Sequence, residues 1–231
     1  MKRFWKDVSA ELQDNCWGIK LDNRPLKTPG RALLVVPSLR LADAIADEWR
    51  LVNETIDPRA MPLTGIANAA IDRVAPAREA FSDGLARYAG ADLACYRAEG
   101  PRALIDEQER EWNSLLDWAR GRFEVDFVTT SGLTHVEQPG ETVERLGNAI
   151  RSLDPFRLAG LSLMITIGGS LIAALAVLEK AIPPEDGWGS VSIDERWQLE
   201  RWGADPDAEL ALESRRRDFL AAARFLELLD Q

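Results

Sequence analysis

The sequence predicts an α+β protein: a small N-terminal antiparallel sheet with helices, followed by a mainly α-helical C-terminal domain. Three observations carry that expectation. Short alternating or β-branched runs separated by turn residues cluster between residues 16 and 36. Apolar residues three and four apart dominate from residue 38 onward. Pro76 falls between the first helical stripes and a longer helical remainder, which sets the expected domains at 1–75 and 76–231. No internal repeat or low-complexity linker interrupts the chain.

The elements follow in order. Cys16–Leu21 alternates apolar and polar residues, Asp22-Asn23 supplies a turn, and Arg24–Thr28 can return as a second strand. Pro29-Gly30 turns the chain again before the β-branched run Ala32–Val36. Ser38, after Pro37, is placed to cap a helix in which Ala42, Ile45, Ala46, Trp49 and Val52 share one face. Leu63, Ile66, Ala67, Ala70, Ile71 and Val74 form a second stripe. Helices are expected from about Ala77 to Tyr96 and from about Arg102 to Arg120, then a lone strand over Phe123–Val128. Pro139 to Leu153 reads as helix, Asp154-Pro155 as a cap with proline at the first helical position, and Arg215–Leu229 as a closing amphipathic helix.

Leu158–Leu178 holds 21 residues without a charge, long enough to span a membrane. Its many Gly, Ala, Ser and Thr residues and its sparsely charged flanks favour a buried central helix instead. Gly168-Gly169 marks a close approach or a kink within it.

Composition narrows the function classes. The chain has 231 residues, 46 % hydrophobic and 29 % charged, as in ordinary soluble proteins. Its 38 acidic residues against 28 Lys and Arg give a net charge of −10, a poor match for nucleic acid or anionic membranes. A single histidine, His135, argues against Ser-His-Asp chemistry and multi-histidine metal sites. Neither a metal nor a cofactor is expected. Cys16 and Cys95 have neither zinc nor redox-pair spacing and read as reduced thiols, although one disulfide would be possible. The opening MKRFWKDVSAEL lacks a signal or transit pattern, so a cytoplasmic chain, or a processed form from an organelle, is expected.

The acid excess is uneven. Residues 182–231 hold twelve Asp and Glu against six Arg. Placed on one helix, Trp188, Val191, Glu195, Gln198, Leu199 and Trp202 share a side, and Ile193, Trp197 and Glu200 share the opposite one. Tryptophans on two faces, each with a glutamate, suit either a helix fixed within its own domain or a protein-binding surface. The candidate partner-binding residues are Glu195, Trp197, Gln198, Glu200, Trp202 and Asp205.

A series of collinear motifs resembles the assembly-chaperone family for the α subunit of the F-type ATP synthase catalytic head. They are Arg3-Phe4-Trp5-Lys6; Gly18–Pro29; Glu48-Trp49; Asp57–Thr64; Ala67–Asp72; Asp92–Ala98; Leu115–Trp118; Gly169-Ser170; and Asp194-Glu195-x-x-Gln198-x-x-x-Trp202-Gly203-x-Asp205. The chain departs from the family pattern in four places. Glu107 stands in place of an arginine, Asn113-Ser114 in place of Asp-Pro, Asp22-Asn23-Arg24 in place of Asp-Gly-Arg, and Asp207 near a usual glutamate.

The resemblance implies a non-catalytic protein, monomeric when free. It would bind the unassembled α subunit and prevent its aggregation until β displaces it. The absence of GxxxxGK[ST] and GxGxxG loops agrees with release that needs no nucleotide. Two alternatives differ in class: a small-molecule enzyme using Asp22, Arg24, Lys27, Asp72, Asp92 and Arg97, or a membrane-associated assembly factor using Leu158–Leu178.

Overall fold

The computed structural model describes residues 2–132, 134–203 and 205–230, the Trp202 side chain excepted. The chain divides into two units: Met1–Arg78 with Asp154–Gly160 and Arg224–Gln231, and Glu79–Leu153 with Leu161–Ala223.

The first unit is built on a four-stranded antiparallel sheet of β1 (Val8–Gln13), β2 (Cys16–Leu21), β3 (Arg24–Pro25) and β4 (Val35–Val36). β2 is central and pairs with the other three. β1 is the strand that the sequence reading omits. It pairs with β2 from Val8↔Leu21 to Gln13↔Cys16, which leaves a two-residue loop, Asp14-Asn15. Both loop residues take positive φ, 47° and 64°, as a hairpin turn that follows the sheet's own twist requires. The return over Arg24–Thr28 is shorter than expected: beyond Pro25 only an isolated bridge, Lys27↔Leu33, continues it.

Helix α1 (Leu39–Leu51) packs on β1 and β2 through Leu41, Ala42, Ile45, Ala46 and Trp49. The Ser38 hydroxyl accepts the Leu41 N–H, as its position predicts, and donates to the Leu228 carbonyl. Glu48 leaves α1 to cap α2 (Pro62–Ala69). Its carboxylate accepts the Leu63 and Thr64 N–H groups, both at 2.8 Å, and the Thr64 hydroxyl at 2.6 Å. Burial pushes the Glu48 carboxyl up against these three donors. Asp72 accepts the Thr28 hydroxyl and the Gly30 N–H at 2.7 Å. A Cβ on Gly30 would lie 2.6 Å from that carboxylate, so the turn needs glycine for this approach. Pro76 does not end the helical run. A π turn and a 3-10 turn carry it from α2 into α3 (Arg78–Ala86), because the proline falls in a first turn, where its missing N–H costs nothing.

The second unit is helical around α4 (Arg102–Phe123). Its buried Trp112 donates to the Ser190 carbonyl at 2.7 Å, and the Arg97 guanidinium lies 5.0 Å from the Trp112 ring. The helix expected over Ala77–Tyr96 stops early, at α3 and two 3-10 turns, and Asp92 caps the second of these. The Asp92 carboxylate is wholly buried and also accepts the Ser170 hydroxyl and the Ile172 N–H at the start of α7 (Leu171–Leu178). The uncharged run is therefore two helices, α6 (Pro155–Gly168) and α7, divided at Gly169. Gly169 takes a φ of 68°, where glycine carries no steric cost. Among the described residues no helix is long and apolar enough to cross a membrane.

The strand expected over Phe123–Val128 is not one. Val125 and Phe127 are buried and Asp126 and Val128 exposed, as alternation predicts. Side chains, however, satisfy this backbone: Gln138 bonds both the N–H and the carbonyl of Val128, and Thr142 donates to the Asp126 carbonyl. The only parallel pairing among the described residues joins β5 (Tyr96–Arg97) to β6 (Thr130–Ser131). α5 (Gly140–Arg151) matches expectation, as does the Asp154 cap of α6, which accepts the Phe156 and Arg157 N–H groups. Both cysteines are free; burial pushes the Cys95 thiol up to about 12.

Candidate functional site

The segment predicted as a single helix is two: α8 (Pro184–Val191) and α9 (Ile193–Trp202), joined at Ser192. The break resets the helical phase. Trp188 and Val191 therefore face the core through α8, while α9 turns Ile193 inward on its own account. Of the face that the sequence reading draws through Trp188, Val191, Glu195, Gln198, Leu199 and Trp202, the first two residues lie on α8 and the other four on α9.

The first turn of α9 is fastened by polar contacts. Buried Gln108 on α4 accepts the Ala98 N–H at 2.7 Å and donates to the Asp194 carboxylate at 2.6 Å. Burial pushes the Asp194 carboxyl up, opposed by that hydrogen bond. Arg196 donates to the Gly189 carbonyl and the Ser192 hydroxyl, and lies 3.5 Å from Glu107. The departure at Glu107 thus has a local partner of opposite charge.

The six candidate residues fall into distinct roles. Glu195 pairs with Arg215 at 2.7 Å, tying α9 to α10 (Pro206–Leu229). Trp197 is half-buried beneath the Arg201 guanidinium, 4.8 Å from its ring centre. Asp205 caps α10: its carboxylate accepts the Asp207 N–H and its carbonyl the Glu209 N–H. Gln198 and Glu200 are exposed and make no side-chain hydrogen bond or ion pair among the described residues. The Trp202 side chain lies outside the described residues. The structure therefore brings Glu195, Trp197, Gln198 and Glu200 onto one ten-residue helix and leaves the last turn's amide and carboxylate outward.

The sequence reading missed the anchors Gln108, Arg196 and Arg215. Only Arg215 carried a visible signal, as the start of a basic run facing an acidic stretch. The polar residues of the enzyme alternative have architectural partners in several cases. Asp22, at a φ of 54°, accepts the Lys6 and Asp7 N–H groups, which hold its carboxyl below the usual range. Asp72 and Asp92 have the partners described above, and Arg97 donates to the Ala94 carbonyl and to Asn113. Among the described residues no three of His, Cys, Asp and Glu are grouped to hold a metal ion.

The chain is similar to the mitochondrial Atp12 protein of Schizosaccharomyces pombe, 28 % identical over 220 residues, covering 90 % of this chain and 75 % of that one. The solved Atp12 of Paracoccus denitrificans is 41 % identical with a TM-score of 0.93, over 99 % of this chain and 98 % of that one. A single-residue mutant of the same protein superposes equally well, at 97 % of its chain. Atu1473 of Agrobacterium tumefaciens is 36 % identical with a TM-score of 0.94, covering 99 % and 86 % of the two chains. The family model for the ATP12 chaperone protein matches residues 2–120, more than half of the sequence, and the chain belongs to that family.

Proposed function

We propose that this ATP12-family chaperone holds the unassembled α subunit of the F-type ATP synthase catalytic head until the β subunit takes its place. The observation that carries the reading is the run of collinear motifs, with family membership as its support. An α subunit without its neighbour exposes apolar surface that aggregates. A chaperone that covers it reversibly lowers the free concentration of the sticky state by mass action. Displacement by a tighter-binding β subunit then suffices for release. Binding, not turnover, is the activity.

Glu200 and Gln198 are proposed as direct contacts on α9, with Trp197 and Trp202 beside them. Glu195 and Asp205 hold that surface in place through Arg215 and the α10 cap. The free chain is proposed to be monomeric, working in a bacterial cytoplasm or, in a eukaryote, in the mitochondrial matrix. Co-expression with the α subunit in the absence of β tests the reading. The α subunit should remain in the soluble fraction and co-purify with the chain. Equal precipitation of α with and without the chain would contradict it.

A further inference from the structure

We propose that an open groove in the second unit, between α4 and the start of α8, receives one segment of the client: a large apolar side chain flanked by Lys or Arg. The proposal rests on the α-subunit reading above and names the part of the client surface that this chain takes.

The groove has a volume of about 710 Å³. Leu115 and Trp188 form its buried floor, while Trp118 on α4 and Ile182, just before α8, are only half-buried and present apolar surface to it. Half-exposed Trp and Ile in a concave site are suited to an inserted apolar side chain.

The charge around this floor has a definite sign. Four carboxylates and three arginines line the groove. Each arginine already has a carboxylate: Arg110 lies 3.0 Å from Glu111, Arg196 lies 3.5 Å from Glu107, and Arg216 pairs with Glu185. Asp186 is left over. It is exposed, sits in the first turn of α8, and has no cationic partner among the described residues. The surrounding unit carries twenty-five Asp and Glu against fourteen Lys and Arg. An incoming cation therefore meets a free carboxylate in a negative field, and an incoming anion meets only arginines that are already neutralised.

The test uses the full chain and the intact α subunit. Ile182→Glu and Asp186→Lys are each co-expressed with α, and the amount of α co-purified is read beside the melting temperature of the chain. Ile182→Glu should reduce capture at least tenfold, and Asp186→Lys about threefold, the latter with only a small fall in melting temperature, because the residue is exposed and unpaired and loses no more than the favourable place of a carboxylate in the first turn of α8. Wild-type capture that both variants retain in full would overturn the groove and leave the α-subunit reading standing. A wild-type chain that captures no α would sink that reading and the groove with it. Self-association that these substitutions abolish would make the occupant a second copy and would also overturn the proposal.

Discussion

The two units carry the same number of cations, fourteen Lys and Arg each, but thirteen Asp and Glu lie in the first and twenty-five in the second. The first unit is thus close to neutral, and the second carries the negative charge of the chain. The difference extends to use. In the first unit Asp22, Glu48 and Asp72 accept backbone N–H groups, so the carboxylates act as caps and turn clasps. In the second, carboxylates such as Glu200 and Asp186 stand outward, with no cationic partner among the described residues. A carboxylate that accepts N–H groups stabilises a fold; one left in water contributes little to stability and remains available to a partner.

Asp92, like Asp205 at the start of α10, is an exception within the acidic unit, and it offers the most severe way to break the comparison. Asp92→Ala would strand the Ser170 hydroxyl and the Ile172 and Ala94 N–H groups in a wholly buried site. A loss of about 3 kcal/mol is expected, read by denaturant unfolding. Gln108→Leu comes next. It removes the link from the Ala98 N–H to Asp194 and should cost about 2 kcal/mol, while loosening α9 enough to speed hydrogen exchange there. Glu195→Lys sets a cation against Arg215 and should cost about 1 kcal/mol of thermal stability, since the pair is partly exposed.

Asp22 gives the smallest effect and a pH signature. Its carboxyl is held below the usual range in the folded chain, so its contribution is present above the unfolded value and is lost as the pH falls through the lowered one. Asp22→Asn should therefore weaken the fold slightly at neutral pH and leave acid stability nearly unchanged. An equal loss at pH 3 and pH 7 would contradict that assignment.

Much of this architecture was legible because its signals are local. Ser38, the Asp154-Pro155 cap and the apolar face of α1 each follow from a few adjacent residues. What escaped depends on distant partners. β1 is built of Ala10, Glu11, Leu12 and Gln13, which favour helix, and only its pairing with β2 and the Asp14-Asn15 turn make it a strand. Phe123–Val128 shows the converse. Its alternation reports burial, and a glutamine amide stands where a neighbouring strand would be. At the candidate site the residue types stood out, yet the break at Ser192 puts Trp188 and Val191 on α8, apart from the α9 residues that a continuous helix would have set beside them. Asp205-Pro206 repeats the Asp154-Pro155 cap, so its architectural part was readable by the same rule.

On the reading proposed above, α9 offers its outward carboxylate to the α subunit. The most direct measurement is α-subunit capture by Glu200→Lys, read beside its melting temperature. Glu200 is exposed and unpaired among the described residues, so the substitution should change stability by no more than about 0.5 kcal/mol. An unchanged melting temperature with capture reduced severalfold is expected. Full capture by a normally folded Glu200→Lys chain would contradict it.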